Sequence, residues 1–333
     1  MNGFISIGIS YLATALTVPL IPYIINKIGN RWTMFFGGLC YTFYVLVYLY
    51  PIPVLLYCAS VIQGLGSSLL WIAQGPVLVI NSTEQTISRN SSLFWIMFTM
   101  GMFGGNLFVF FAWEDVDVIT QSEQNTIALV LGTFSLLGSF LFFFLESDQI
   151  EENETSLEMV KSVVRVVKKK ELFYLIPTMA LSGIELCYFQ SLYPTCIGAT
   201  KRLGSNAAHL TGLSQVMSGI GEIAGAVSLI WMGDNENLRG YYYSIINLFT
   251  FGAFFVPTLL LPGECSFMDS YQKGLLMPND QVLMVCAFVY GFFDGTLNTL
   301  LTTMIGLSFT TEIDASGTIS FLSHHYVTVQ VVL

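Results

Sequence analysis

The sequence has little charge. Only 10% of its 333 residues are Asp, Glu, Lys or Arg, whereas 54% are hydrophobic. Soluble globular chains carry about 25% charged residues, because charged side chains keep a protein surface solvated. We therefore predict that the solvent of this chain is mostly lipid. The 12 Lys and Arg residues form no basic face, which argues against nucleic-acid binding.

Signatures of metal sites and of enzymes are also missing. The six Cys residues show no Cys-x-x-Cys spacing, and the three His residues are too few and too scattered for a zinc site. The sequence contains no Walker loop, Gly-x-Ser-x-Gly, His-Glu-x-x-His or dinucleotide fingerprint. We expect a protein that is not an enzyme and that holds no metal and no cofactor.

Long apolar runs dominate what is present. A helix needs about 20 residues to cross roughly 30 Å of hydrocarbon, and backbone groups in lipid need internal hydrogen-bond partners, which favours helices. Nine runs meet this requirement: 4–25, 33–50, 54–80, 91–112, 126–145, 172–192, 207–231, 241–261 and 281–309. They predict an all-α, integral multi-pass membrane protein whose immediate partner is the lipid bilayer.

One long polar stretch divides these runs. We predict a bundle of five spans at 1–145, a linker at 146–171, a bundle of four spans at 172–309 and a tail at 310–333. Within the linker, apolar residues recur at helical spacing opposite basic ones. That pattern is typical of an amphipathic helix on the membrane surface and equally of a solvated linker helix.

The basic residues of the connecting loops predict the orientation. Numbered alternately, the loops on one side hold nine Lys and Arg residues, and those on the other side hold Lys201, Arg202 and Lys273. Cytoplasmic loops carry an excess of Lys and Arg. We therefore expect the first side, including the linker, to be cytoplasmic and the N-terminus to lie outside.

Three Asn-x-Ser/Thr sequons test this orientation. Asn81, Asn90 and Asn153 all fall on the predicted cytoplasmic side, where they cannot meet the glycosylation machinery, so none should carry a glycan. Digestion of the expressed protein with an N-glycosidase should leave its gel mobility unchanged. A glycan on Asn153 would invert the whole predicted topology.

Several segments resemble a known transporter superfamily. The segment 22–31 resembles the loop motif between helices two and three of the major facilitator superfamily, although Pro22 replaces its first Gly, Asn26 its Asp and Asn30 one of its basic residues. The alternative is an ordinary short basic loop. The motif positions that this sequence keeps or substitutes are Asn26, Lys27, Gly29 and Arg31.

Longer stretches resemble the Unc-93-like branch of that superfamily. They include Leu-Trp-Ile-Ala-Gln-Gly at 70–75 and Gly-Ile-Gly-Glu-Ile at 219–223, with further segments at 88–91, 94–95, 105–107, 183–186, 195–199, 294 and 298–299. The resemblance implies a fold of twelve helices in two halves, in which the nine runs are helices two to ten. It therefore also implies that helices one, eleven and twelve are missing, which makes an inactive truncated form one alternative for its function.

Three acidic residues lie near the middle of the later runs. Glu185, Glu222 and Asp294 have no Lys or Arg within any run to pair with. Burying a carboxylate in a membrane costs several kcal/mol unless it is protonated, hydrated or paired. Such groups suit proton coupling or cation binding. Alternatively they hydrogen-bond a neighbouring helix, since Glu222 and Asp294 each lie within a Gly-x-x-x-Gly pattern that favours close helix contact.

The resemblance implies positions for these acids in a solute site. Helices one, four, seven and ten line the central cavity of the superfamily, so Glu185 would lie on helix seven and Asp294 on helix ten. The amide and indole candidates on helices four and ten are Gln63, Trp71, Gln74 and Asn298. Such a site would bind a small polar or cationic solute. The alternative for the amides is hydrogen bonding between helices.

Besides an inactive truncated form, two functions remain open. The resemblance implies either a secondary transporter or an accessory protein of an ion channel or a receptor.

A further feature is the pair Cys196 and Cys265, which falls in predicted outer loops. A disulfide could join these two residues in an oxidising compartment.

Overall fold

A computed structural model describes residues 3–112, 120–145, 185, 188–232 and 236–308. The helices are α1 Gly3–Thr17, α2 Ile21–Leu46, α3 Pro53–Ile80, α4 Ile87–Ala112, α5 Gln121–Leu141, α6 Tyr193–Ala199, α7 Ala207–Met232, α8 Glu236–Leu260 and α9 Asp280–Ser308. Four short 3-10 turns, at Val18–Leu20, Val47–Leu49, Phe142–Phe144 and Lys201–Asn206, and a π-helical turn at Tyr188–Leu192 adjoin them. The predicted linker, the tail and most of the predicted span 172–192 lie outside the described residues.

The apolar helices have the length that a bilayer requires. Six stretches of the described chain are long and apolar enough to cross it: Ile5–Leu49, Pro53–Ile80, Gln121–Phe144, His209–Met232, Tyr241–Leu260 and Asp280–Leu307. Among the described residues there is no β-strand, and the one β-bridge, between Thr200 and Ser270, is isolated. The prediction of an all-helical membrane protein is confirmed.

The first of these stretches reverses direction at Gly29. Before it, α1 runs parallel to α3, since Ser6 hydrogen-bonds Ser60 at 2.7 Å and Thr17 hydrogen-bonds Ser68 at 2.6 Å. After it, the rest of α2 runs antiparallel to α3.

The antiparallel course of α2 is visible in its contacts with α3. Met34 packs in one cluster with Ile72, near the end of α3, whereas Val47 packs with Leu56, near its start. Gly29 has φ +78°, a conformation that residues with a Cβ atom rarely adopt. A single glycine therefore joins two helical segments of opposite direction.

The loop expected at 22–31 is helical on both sides of Gly29. Pro22 fits because it lies in the first turn of α2, where a missing N–H group costs no hydrogen bond. Lys27 Nζ lies 4.7 Å from the centre of the Tyr23 ring. The Arg31 guanidinium lies 5.4 Å from the ring of Phe143, which follows α5. These cation–π contacts fix both basic residues beside the reversal.

The structure divides into two compact units. The first contains α1, α2, α3, α5 and the end of α9 from Met304, and the second contains α4 from Ser88, α6, α7, α8 and the part of α9 up to Thr303. Each unit has its own buried core, as in any independently packed domain.

Small and hydroxyl side chains hold α1 against α3 in the first unit. Gly64 lies so close to Ser10 that a Cβ atom on it would collide with the Ser10 carbonyl oxygen. The Thr14 hydroxyl donates to the Gly64 carbonyl oxygen at 2.9 Å, and the Ser68 hydroxyl donates to the Thr14 carbonyl oxygen at 3.2 Å. Small residues and hydroxyl groups are the usual means by which membrane helices approach closely.

Candidate functional site

Helices α7 and α9 touch along their backbones in the second unit. They run parallel, because Ser218 meets Gly291 and Glu222 meets Gly295 one turn later. A Cβ atom on any of the four glycines at 221, 225, 291 and 295 would collide with a carbonyl oxygen of the opposite helix. The two Gly-x-x-x-Gly patterns of the sequence therefore pack against each other. This close crossing holds Glu222 and Asp294 near one point of the unit.

The three acidic residues lie within electrostatic range of one another. Glu185 is completely buried, and both Asp294 and Glu222 act on its charge. Asp294 is 5% exposed, and its Oδ1 accepts a hydrogen bond from the Asn298 Nδ2 at 2.9 Å. Glu222 is half-buried, with Thr99 of α4 beside its carboxyl group. The structure thus brings together four of the predicted site residues.

Glu185 differs from Asp294 in its partners. Neither oxygen of the Glu185 carboxyl group has a hydrogen-bond partner in the part of the chain that the structure describes. Its backbone oxygen, in contrast, accepts a hydrogen bond from the Tyr290 hydroxyl at 3.3 Å. Helices α6, α7 and α9 contain no Lys or Arg. The Glu185 carboxyl group is therefore a buried acid with no fixed cation on these helices.

Aromatic rings surround this carboxyl group. Phe189 and Tyr290 stack with ring centres 3.5 Å apart, and Tyr243 of α8 stacks on Phe293 at 5.9 Å. The Tyr243 hydroxyl is buried near Asn247, and Glu185 acts on it electrostatically. The surroundings of Glu185 therefore include the hydroxyl groups of Tyr243 and Tyr290 together with aromatic rings, which suit a small cation.

A π-helical turn follows Glu185 at Tyr188–Leu192. Pro194 explains it, because a proline ring clashes with the carbonyl group four residues earlier and cannot donate the regular helical hydrogen bond. The turn widens to avoid that clash. Such single π-turns occur frequently at functional sites, since they redirect side chains relative to a regular helix.

Helix α4 is fixed to the same group through α9. The Trp95 Nε1 donates to the Thr302 hydroxyl at 3.0 Å, and that hydroxyl donates to the Asn298 carbonyl oxygen at 2.8 Å. Trp95 is 4% exposed. The turn of α9 that carries Asn298 is thus positioned by an indole from another helix.

The remaining predicted site residues form a second group, in the first unit. Gln63 lines a cavity of about 240 Å³ together with Ser10, Thr14 and Ser67. Tyr41 lines the same cavity, and its hydroxyl interacts with the side chains of Gln63, Ser67 and Trp71.

Gln74 lies farther along α3. It is 7% exposed, and its Nε2 has no hydrogen-bond partner among the residues described. The second group is therefore polar but carries no charged residue.

Sequence reasoning missed Tyr41 and Tyr243. Both are tyrosines in aromatic-rich spans, where most rings face lipid or pack in the core, so no local pattern marks them. Their importance depends on which helix face meets Gln63 or Glu185, and that is a property of the packing. Across the described residues, no group of three or more His, Cys, Asp or Glu side chains is arranged to hold a metal ion.

A family model described as "Ion channel regulatory protein UNC-93" matches residues 1–332. The chain belongs to the UNC-93 family. The family membership predicted from the sequence segments is thereby confirmed.

Relatives of this UNC-93 family chain occur in animals and plants. It is 29% identical over 331 residues to UNC93-like protein MFSD11 of Xenopus tropicalis, covering 92% of this chain and 74% of that protein. It is 20% identical over 332 residues to UNC93-like protein 3 of Arabidopsis thaliana, covering 92% and 68%. The similarity therefore extends over most of each protein.

Solved structures of major facilitator transporters share the fold. A variant of the Escherichia coli fucose:proton symporter FucP superimposes with a TM-score of 0.66 at 13% identity, covering 99% of this chain and 82% of FucP. The xylose transporter XylE of E. coli superimposes with a TM-score of 0.61 at 11% identity, covering 98% and 79%. These neighbours confirm a major-facilitator-like fold, and at such low identity they show the fold alone.

Proposed function

We propose that this UNC-93 family protein is a secondary transporter that couples a small polar or cationic solute to a proton or another cation at Glu185. The observation that supports this proposal is the burial of the Glu185 carboxyl group without a hydrogen-bond partner in the described chain. A carboxylate in such a place must be neutralised by a proton or by a bound cation, because desolvation of an uncompensated charge costs several kcal/mol.

Asp294 and Glu185 have different roles in this proposal. The Asn298 amide donates to Asp294 and holds it in place, so Asp294 is the fixed partner of the site. Among the described residues Glu185 has no such donor, and in this proposal it exchanges its proton or cation. Mutual repulsion between the two carboxyl groups disfavours both being ionised together, so neutralisation of one is coupled to the state of the other.

Transport is tested with purified protein in proteoliposomes across an imposed pH step. The probes are radiolabelled tetraethylammonium, choline and glucose, which represent cationic and neutral polar solutes. We expect at least one probe to accumulate above protein-free liposomes when the outside is acidic, and a protonophore should abolish this accumulation. Liposomes containing heat-denatured protein serve as the control.

A second candidate function is regulation of an ion channel. The description of the family model favours it. In that case the buried acids only join helices, and the protein acts through contacts with its partner. Co-purification with an ion channel, together with no accumulation of any probe, would replace the transport proposal by this one.

A further inference from the structure

Two cysteines far apart in the sequence meet at one end of the second unit. Cys196 lies in α6 and is 8% exposed, and Cys265 lies in the turn after α8 and is 4% exposed. Both belong to one buried cluster with Ile197, Leu261 and Leu283. The side chains of Cys196 and Cys265 lie close enough to influence each other's pKa. Both thiols are free in this structure.

The backbone around the two thiols is held in register by bonds on both sides. The Ser270 N–H donates to the Ala199 carbonyl oxygen at 2.8 Å, and the Lys201 N–H donates to the Ser270 carbonyl oxygen at 3.0 Å. Lys201 also forms an ion pair with Asp269 at 3.0 Å. The segment after α6 and the turn after α8 are thus fixed to each other independently of the sulfur atoms.

We infer that Cys196 and Cys265 form a disulfide that joins α6 to the turn after α8. The geometry favours this bond, because both side chains belong to one buried cluster and their backbone segments are already paired. On the orientation predicted from the basic loop residues, this end of the unit lies on the non-cytoplasmic side, where disulfides form and persist. The inference is independent of whether the protein transports a solute.

The chemistry needs an oxidant of the disulfide class, such as glutathione disulfide or a protein disulfide. The neighbouring Cys196 side chain lowers the pKa of the Cys265 thiol, because it stabilises the thiolate. The Cys265 thiolate attacks the donor disulfide, breaks its S–S bond and releases one donor thiolate. Cys196 then loses its proton to water and attacks the Cys265 sulfur, releasing the second donor thiolate. The protein is oxidised by two electrons, and the donor is reduced to two thiols.

The disulfide would close a loop of about 70 residues that contains α7 and α8, a length for which the constraint on the unfolded chain is large. Its reduction should therefore lower the thermal midpoint of the full-length protein by roughly 5 °C or more.

The test counts thiols in the full chain expressed in cells. Free thiols are blocked with N-ethylmaleimide under denaturing conditions, disulfides are then reduced, and new thiols are labelled with maleimide-polyethylene glycol. We expect two labels on the wild-type chain, none on Cys196→Ser or Cys265→Ser, and two on the control Cys286→Ser, whose thiol is also buried nearby. Mass spectrometry of the digested wild-type chain should show one peptide pair joined through positions 196 and 265.

Two results would overturn the inference. One is the absence of label on the wild-type chain after reduction, which means that both thiols remain free. The other is two labels on Cys196→Ser, which means that other cysteines form the cross-link. Because the peptide analysis uses the wild-type chain, misfolding of a variant does not affect it. As a second readout, a reductant should lower the thermal midpoint of the wild type but not of the double Cys196→Ser, Cys265→Ser variant.

Discussion

Replacing Glu185 by glutamine should abolish pH-driven uptake of the probe that the wild type accumulates best, reducing the initial rate by about tenfold or more, equivalent to about 1.4 kcal/mol. The amide has nearly the shape of the carboxyl group but cannot be ionised, so it neither exchanges a proton nor neutralises a cation. The protein should still fold, because the change removes a charge from a site that is completely buried. Initial rates in proteoliposomes across a pH step measure the effect.

Companion variants sharpen this prediction. Asp294→Asn should also reduce coupling. The double variant with Glu185→Gln should lose little more than either single variant, because the effects of substitutions within one functional unit are not additive. Glu84→Gln, which changes an exposed acid between α3 and α4, should leave uptake unchanged. If Glu185→Gln and Asp294→Asn both keep wild-type coupling, the carboxyl pair has no role in it.

Infrared spectroscopy tests the protonation of Glu185 without any solute. Carboxyl groups absorb in the infrared as C=O when protonated, so a spectrum recorded across a pH change reports them directly. Glu185→Gln should remove one buried carboxyl band that Glu84→Gln retains. A spectrum identical to that of the wild type would show that Glu185 does not exchange protons, and would leave cation binding as its only coupling role.

Adding a methyl group at Gly291 should destabilise the second unit strongly. The Cβ atom of Gly291→Ala would collide with the Ser218 carbonyl oxygen, and backbone cannot move aside as a flexible side chain can. We expect a loss of about 3 kcal/mol, which lowers the thermal midpoint by about 10 °C. Thermal unfolding in detergent, followed by size-exclusion chromatography, measures this shift.

The matched control is Gly252→Ala in α8. No atom lies within 4 Å of the position where its Cβ would be. There alanine should be neutral or stabilising, by at most about 1 kcal/mol, because glycine is a poorer helix former. Equal midpoints for the two variants would show that α7 and α9 do not touch as closely as described.

Hydropathy predicts the ends of a helix best where the helix is apolar along its whole length. The run predicted at 54–80 is α3, Pro53–Ile80, and the run predicted at 207–231 is α7, Ala207–Met232. Hydropathy predicts that the fifth run starts at residue 126, yet α5 begins at Gln121. A capping box between Thr120 and Glu123 starts it in a polar segment, which a count of apolar residues does not detect.

The candidate site was predictable in its residues but not in its arrangement. Because the predicted spans contain no Lys or Arg, Glu185 and Asp294 were predicted as site residues. The glycine spacing predicted the contact surfaces of α7 and α9. The sequence could not show that these two surfaces meet each other, because glycine patterns pack on many partners. It also could not show that Asn298 binds Asp294 while Glu185 lacks a partner in the described chain, since that depends on side-chain placement.

The turn at Gly29 has a consequence for biosynthesis. Only one residue separates two apolar helical segments of opposite direction. Because the link is so short, one segment cannot span the bilayer while the other stays in water. We therefore expect the two helices to enter the bilayer together. A flexible insertion beside Gly29 would let each helix choose its orientation alone, and the first would then be free to enter the membrane inverted.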